Sequence, residues 1–213
     1  MQHPPTFSYE KRYWQAGVHL IAGIDEVGMG ALAGPVCAAA VIFRSSESTN
    51  SKAQSTNIRD SKTLSYKQRE KAAVWIREHA LAWAAGEASV EEIFELNILQ
   101  AARLAMLRAV EQLTSTPEVL IVDGRGENLH PTIPSESIVK GDRKSFTIAA
   151  ASIVAKVHRD NLMVELGKQH PEYGFENHKG YGAKQHLDAL NTHGALACHR
   201  AAYAPIRAVL PAG

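Results

Sequence analysis

The sequence has few of the features that mark special classes of protein. Only two of its 213 residues are cysteines, Cys37 and Cys198, and neither has a CxxC or Cys/His spacing around it. Isolated cysteines in a chain of this size favour reduced thiols over a disulfide framework. No apolar run approaches the roughly 18 residues that span a bilayer, and the first residues lack the apolar core of a signal peptide. We therefore expect a cytoplasmic protein without membrane contact.

Strong charge of either sign is also absent. The 23 Lys and Arg residues balance 22 Asp and Glu, and the ten histidines form no HxxxH or HExxH pair, which argues against a zinc site. The hydrophobic share of 45% and the charged share of 21% are ordinary for a globular domain. Basic residues exceed acidic ones from Lys140 onwards, a distribution that fits a nucleic-acid face and a plain solvated surface equally well.

The pattern of apolar residues predicts an α/β domain of three layers. Short β-branched runs at 18–26 and 35–43 predict an antiparallel strand pair around a glycine-rich turn. The order of strands and helices predicts a central mixed sheet flanked by helices, with a small helical C-terminal extension. We place the catalytic domain at residues 1–170 and the extension at 171–213. Further strands are predicted at 81–90 and 117–124, helices at 66–80, 90–113, 145–168 and 183–192, and a polar loop at 44–57.

Two of the predicted helices have a further signal in the sequence. Ser65 is a suitable N-cap for the helix that follows it. The helix over 90–113 is the clearest amphipathic one in the chain, and we expect it to pack on the core. Its predicted apolar face consists of Ile93, Leu96, Leu99, Leu104, Leu107 and Val110.

Carboxylates stand at the ends of two predicted strands. Asp25 and Glu26 end the first strand, and Asp123 ends "PEVLIVDG". Neighbouring strand ends converge in α/β sheets, so these acids can meet. A fourth acid, Asp160, shares a helical face with Lys156. Gathered carboxylates repel one another unless a cation such as Mg²⁺ or Mn²⁺ lies among them, although each acid taken singly is explained equally well as a solvated surface residue.

Five blocks of the sequence resemble the ribonuclease HII family in order and character, over about residues 19–207. They are "GIDEVGMGALAGPVCAAAVIF", "DSKTLS", "VDG", "KGDRKSFTIAAASIVAKVHRD" and "YGFENHKGYGAKQH". The resemblance implies an RNase H-like fold and a carboxylate quartet that binds two Mg²⁺ or Mn²⁺ ions. Carried over to this sequence, the quartet consists of Asp25, Glu26, Asp123 and Asp160.

The resemblance also implies a reaction. Such an enzyme hydrolyses the RNA strand of RNA/DNA hybrids and nicks DNA on the 5′ side of embedded ribonucleotides, as in ribonucleotide removal. Two ions about 4 Å apart would activate water and stabilise the leaving 3′ oxygen. The products would carry 3′-hydroxyl and 5′-phosphate ends.

Recognition of the substrate is expected to involve the glycine loop and the segment around Tyr181. Gly28 and Gly30 would let the backbone approach a sugar and phosphate, and the resemblance implies that Tyr181 stacks on a sugar beside the ribonucleotide. The family usually has Arg between the two glycines, whereas this chain has Met29, which cannot pair with phosphate. The resemblance also implies contacts to phosphate or the site edge from Lys62, Lys144 and Ser145, although each could equally be a surface residue or, for Ser145, a helix N-cap. His178 and Lys179 are expected on the basic rim of the cleft.

Two other functions stay open at this point. The substitution at Met29 allows a hybrid-only RNase H with weakened recognition of single ribonucleotides. A catalytically silent nucleic-acid-binding module is the second alternative, although four acids facing phosphate would not help a binder. We expect a monomer, and the residues after Ile206 lack the glutamine and paired aromatics typical of a sliding-clamp peptide.

Overall fold

The structure is a computed structural model that describes residues 4–49, 58–59, 61–126 and 128–210. Its strands are β1 (Ile21–Val27), β2 (Val36–Ile42), β3 (Ala82–Ala88), β4 (Val119–Asp123) and β5 (Ser135–Ile138). Its helices are α1 (Ser8–Gln15), α2 (Tyr66–His79), α3 (Val90–Leu96), α4 (Ile98–Glu111), α5 (Phe146–Gln169), α6 (Phe175–His178), α7 (Lys184–His193) and α8 (Ala204–Arg207). Short 3₁₀ turns cover Ser45–Thr49, Ser61–Thr63 and Gly141–Arg143.

The five strands form one mixed sheet in the order β3-β2-β1-β4-β5. β1 pairs antiparallel with β2 and parallel with β4, which confirms the predicted hairpin and the predicted mixed sheet. Ile24 on β1 lies opposite Val122 on β4, so the next residues, Asp25 and Asp123, lie at adjacent positions on neighbouring strands. The polar loop predicted at 44–57 begins with a 3₁₀ turn, and its residues 50–57 lie outside the described part of the chain.

Helices cover both faces of the sheet, as the three-layer prediction requires. Successive residues of a strand face opposite sides, and every residue of β2 is buried. Ala39 and Val41 belong to the core beneath α2 and α5, whereas Ala38 and Ala40 belong to the core beneath α4. The small alanines of β2 therefore let helices pack closely from both sides.

Glycine at position 23 allows α5 to lie directly on β1. A Cβ atom at Gly23 would lie 2.5 Å from the backbone carbon of Thr147 in the first turn of α5. Such a contact is far shorter than van der Waals distance, so a larger residue would push the helix away. Ser145 caps this helix by accepting a hydrogen bond from the Ile148 amide at 3.1 Å. The start of α5 is thus fixed against the strand that carries Asp25.

The single helix predicted over 90–113 is wrong, because the chain contains two helices there. They meet at Asn97, which has a φ of 69° and caps α4 by accepting hydrogen bonds from the Leu99 and Gln100 amides. The turn rotates the apolar face, and Leu99 is 63% exposed. The buried face of α4 consists mainly of small residues: Ala101, Ala102, Ala105, Met106, Ala109 and Val110.

The sequence analysis also missed β5. Its four residues, "SESI", are mostly polar, and Ile138 is the buried one. β5 lies at the edge of the sheet, where one side needs no strand partner, so the usual apolar alternation is weak. Its parallel pairing with β4 could not be read from a local pattern. Ser65, in contrast, is the N-cap of α2 with a full capping box, as predicted.

The C-terminal residues form a small helical cluster around Tyr173, Phe175, Leu190 and Ile206. Leu32 and Ala33, from the connection between β1 and β2, belong to the same cluster. The extension therefore packs against the glycine loop, and the boundary at residue 170 stays a prediction. Among the helices of the described residues, none has the length and apolar character that a bilayer crossing needs.

Candidate active site

Three of the predicted acids converge where β1 and β4 end. Asp25 is only 5% exposed, and its pKa is raised well above the ordinary value by burial and by the charges of Glu26 and Asp123. Burial and the charge of Asp123 also raise the pKa of Glu26. The site thus holds more negative charge than its surroundings compensate, which is the condition that favours a bound cation.

Backbone and hydroxyl groups fix the orientation of two of these carboxylates. The Glu26 amide donates to Asp25 Oδ1 at 2.8 Å, and the Gly141 amide donates to Asp123 Oδ1 at 2.6 Å. The Ser152 side chain on α5 lowers the pKa of Asp25 against the larger upward effects, and its hydroxyl lies 2.9 Å from the Ser61 hydroxyl. Helix α5 therefore reaches the acids through Ser152.

Asp160 lies elsewhere, in an ion pair. Its Oδ1 is 2.5 Å from Lys156 Nζ, and its Oδ2 is 3.7 Å from the Arg69 guanidinium. Asp160 follows Ser152 by eight residues on the same helix, a distance of about 12 Å along the axis. The structure thus brings Asp25, Glu26 and Asp123 together and places the predicted fourth acid beside two cations instead.

A different carboxylate acts on Asp25. Asp142 lies in the 3₁₀ turn before α5, is 9% exposed, and belongs to the charges that raise the pKa of Asp25. No role was predicted for this acid, although its block, "KGDRKS", belongs to the resemblance. Asp142 lies four residues beyond the end of β5, a strand that was not predicted from the sequence.

Basic residues lie around the acids. Lys62 acts on Glu26, lowering the pKa of that carboxyl against the larger upward effects. A cleft of about 170 Å³ lies against Glu26 and Asp123, and Arg103 and Arg125 form part of its lining. The sequence analysis predicted a role for Lys62 but not for these two arginines. An open cleft with cationic margins suits a phosphate backbone better than an enclosed pocket would.

Two buried arginines bind backbone carbonyls of the glycine loop, residues 28–35. Arg159 donates to the carbonyls of Ala33 and Pro35 and is fully buried. A Cβ atom at Gly28 would lie 2.3 Å from the Nε of Arg159. Gly28 also has a φ of +97°, which residues with a side chain rarely adopt, so only glycine suits this position.

Arg200 holds the same loop from the C-terminal extension. It is 1% exposed and donates to the carbonyls of Gly34 at 3.0 Å and Met29 at 2.9 Å. Neither buried arginine was identified from the sequence. An isolated arginine gives no sign of burial, and the carbonyl groups that bind it come from distant segments.

The segment that carries Tyr181 adjoins this loop. The Tyr181 ring centroid is 5.5 Å from the Arg159 guanidinium carbon and 5.8 Å from Lys156 Nζ. His178 supports the turn, because its Nε2 bonds to the Tyr173 carbonyl at 2.9 Å and its Nδ1 accepts from the Gly180 amide. His178 therefore supports the turn that carries Tyr181, and its predicted contact with the nucleic acid stays a prediction. Lys179 is half-buried, and its Nζ bonds to the carbonyl of Glu176.

Ser145 is the N-cap of α5, the second of its two predicted roles, and not a substrate contact. Its side chain is completely buried, and its hydroxyl donates to Glu10 Oε1 at 2.6 Å while accepting from the Ile148 amide. Both interactions belong to the cap of α5. Its neighbour Lys144 is exposed at the start of the same helix, where it remains open to a phosphate group.

A second group of potential metal ligands is better explained as a packing contact. The ligand atoms of Cys37, Glu87 and His158 lie within 4.8 Å of one another. However, His158 Nε2 is 2.7 Å from Glu87 Oε1, so these two side chains already form a pair. Burial also raises the pKa of the Cys37 thiol to about 12, which opposes thiolate formation. The group joins α5 to the edge strand β3.

Comparison with known proteins identifies the family. The family model described as Ribonuclease HII matches residues 22–205. The chain belongs to the ribonuclease HII family. Ribonuclease HII of Halalkalibacterium halodurans is 44% identical over 207 residues, which are 97% of this chain and 76% of the relative. Ribonuclease HII of Bacillus cytotoxicus is 50% identical over 199 residues, which are 93% of this chain and 74% of the relative.

Solved structures agree with the fold. The ribonuclease H2 of Pyrococcus horikoshii OT3 superposes with a TM-score of 0.73 at 22% identity, covering 89% of this chain and 96% of that one. Bst-RNase HIII in complex with Mn²⁺ gives a TM-score of 0.68 at 20% identity, covering 91% and 70%. The RNase H-like fold is thereby confirmed, and this member of the ribonuclease HII family is a ribonuclease H, an endonuclease of the hydrolase class.

Proposed function

We propose that this ribonuclease HII nicks DNA on the 5′ side of embedded ribonucleotides and also cleaves the RNA strand of RNA/DNA hybrids. The observation that carries the proposal is the cluster of carboxylates around the buried Asp25, whose pKa is raised, beside a cleft with basic margins. Recognition of a lone ribonucleotide is supported by the glycine loop and Tyr181, which lie together around Arg159.

We further propose that the acid cluster holds two divalent cations, Mg²⁺ or Mn²⁺. The donor set fits, because carboxylate oxygens are the ligands that these hard cations prefer. Bst-RNase HIII, a structural neighbour, has been solved in complex with Mn²⁺. Bound ions would supply an activated water and charge stabilisation for the leaving oxygen.

The fourth acid in this proposal is Asp142 rather than Asp160. The charge of Asp142 acts on Asp25, and the amide of its neighbour Gly141 donates to Asp123. The two oxygens of Asp160, in contrast, face Lys156 and Arg69, about two turns further along α5 than Ser152. Asp160 instead helps to hold Arg69, which donates to the carbonyls of Ser61 and Leu64 on either side of Lys62.

The remaining residues bind and orient the substrate. Lys62 lies near Glu26, where a phosphate group would also lie, and the exposed Gly30 offers a backbone that a sugar can approach closely. Tyr181 offers an aromatic face beside the loop. The carboxylates would hold the cations and need not transfer protons.

Cleavage of an end-labelled DNA duplex with one ribonucleotide tests this proposal. We expect one cut on the 5′ side of the ribonucleotide with Mg²⁺ or Mn²⁺ and none with a chelator. Asp123→Asn should abolish cleavage and keep affinity for the duplex. Asp188→Asn is the matched control, because Asp188 lies on the surface in an ion pair with Lys184.

Two results would overturn parts of the proposal. Cleavage confined to a continuous hybrid would mean that the loop with Met29 does not recognise a single ribonucleotide. Binding without any cleavage would contradict the ribonucleotide-directed endonuclease proposed here. The structure of the relative from Archaeoglobus fulgidus is a complex with PCNA, and we keep the prediction that this chain acts as a monomer.

A further inference from the structure

The carbonyl of Met29 receives two hydrogen bonds from the C-terminal extension. Tyr203 donates its hydroxyl to the Met29 oxygen at 2.7 Å, and Arg200 Nη1 donates to the same oxygen at 2.9 Å. Arg200 Nη1 also lies 3.3 Å from the Tyr203 hydroxyl oxygen, so the two side chains and the carbonyl form one network. Both lone pairs of the Met29 oxygen are thereby engaged.

This network determines the direction of the next amide. The described residues contain no cis peptide bond. In a trans peptide the carbonyl and the N–H of the same unit point to opposite sides. Because the Met29 carbonyl faces Arg200 and Tyr203, the Gly30 N–H faces away from them.

The surroundings of Gly30 are also open. Gly30 is exposed, and a Cβ built there would meet nothing within 4 Å. The Gly30 amide is thus presented where a substrate oxygen can reach it. The Met29 side chain does not control this direction, because the two donors bind the backbone.

The anchor itself is rigid. Arg200 is 1% exposed and is further bonded to the carbonyls of Gly34 and Pro35. The Gly34 amide in turn donates to the carbonyl of Cys198 at 2.8 Å. The segment 198–203 therefore holds the glycine loop at both of its ends.

We propose that Arg200 and Tyr203 are positioning residues for ribonucleotide recognition, which they support by holding the Met29 peptide so that the Gly30 amide points at the sugar or phosphate. This inference rests on the proposed function of the same site. It assigns a role in substrate selection to the C-terminal extension, and it explains how the loop can keep its geometry with Met29 in place of Arg.

The test compares two tyrosine variants that each lose one hydroxyl. Tyr203→Phe removes the bond to the Met29 carbonyl and keeps the ring. Tyr173→Phe is the matched control, because the Tyr173 hydroxyl also donates to a backbone carbonyl in the extension, that of Gly194, at 2.8 Å. Binding is measured with chelator present, on two DNA duplexes that differ only in one 2′-hydroxyl.

We expect the preference of the wild type for the ribonucleotide duplex to fall roughly fivefold to tenfold in Tyr203→Phe and to stay unchanged in Tyr173→Phe. An equal loss of affinity for both duplexes, or equal effects of the two variants, would overturn the inference, since a purely structural role would act that way. Cleavage by the wild type is measured separately. Failure to cut at the ribonucleotide would refute the proposed function without altering this comparison.

Discussion

Replacing Asp142 and Asp160 one at a time by asparagine tells which of them acts with the other three acids. The Asp160 side chain is 3% exposed and bonds to Lys156 at 2.5 Å, so Asp160→Asn breaks a buried ion pair. Loss of one partner from such a pair costs about 3–5 kcal/mol of unfolding free energy. Asparagine keeps an oxygen that can accept from Lys156, so we expect the lower end, about 3 kcal/mol.

The Asp142 variant should differ in its effect on cleavage. Asp142 is one of the charges that raise the pKa of Asp25, so Asp142→Asn lowers the repulsion on that carboxyl in the metal-free protein. Cleavage should fall about 10²-fold or more, because a carboxylate that holds the reacting centre is lost.

Two assays decide between these expectations. Urea unfolding with chelator gives the stability of each variant, and cleavage of a duplex with one ribonucleotide gives kcat and KM. For Asp160→Asn we expect kcat to fall at most about tenfold, through the loosening of Arg69 near Lys62. A variant Asp160→Asn that is fully stable but inactive, beside an active Asp142→Asn, would refute the assignment of Asp142.

Two further predictions concern the loop and the C-terminal core. Met29→Arg should lower KM for the ribonucleotide duplex about threefold to tenfold, by adding a charged contact to phosphate, and an unchanged KM would contradict this. Burial lowers the pKa of His199 from 6.5 to about 4 in the folded protein. As the pH falls, this histidine therefore binds a proton in the unfolded chain before it does so in the folded one. The free energy of unfolding consequently falls as the pH drops from about 6.5 towards 4. Between pH 7 and 5 the wild type should lose about 2 kcal/mol relative to His199→Gln, and parallel urea-unfolding curves over this range would contradict that.

Local patterns predicted much of the architecture correctly. The paired runs around the glycine loop, the strand before Asp123 and the cap at Ser65 all depend on neighbouring residues, and all are present. Elements with weak local signals were either missed, as β5 was, or merged into one element, as α3 and α4 were. β5 is short and polar, and the break at Asn97 needs a positive φ that the helical period does not reveal.

The same difference between local and long-range signals separates the site acids that were predicted from the one that was missed. Asp25, Glu26 and Asp123 could be found because each ends a strand with a clear pattern. Asp160 was chosen for its helical spacing and for its place in the block "HRD" of the resemblance, but neither shows which neighbours that face of the helix meets. The structure gives Asp160 two cations and brings Asp142 to the acids.

The sequence by itself determined the α/β class, the family and the strand-end acids, because these follow from short-range periodicity and from motifs that lie together in the chain. Only the tertiary structure revealed that Asp142 acts on Asp25 and what holds the glycine loop. Arg159 and Arg200 bind carbonyls that lie more than a hundred residues away in the chain. Such contacts form when distant segments pack, and a buried arginine has the same local sequence signal as an exposed one.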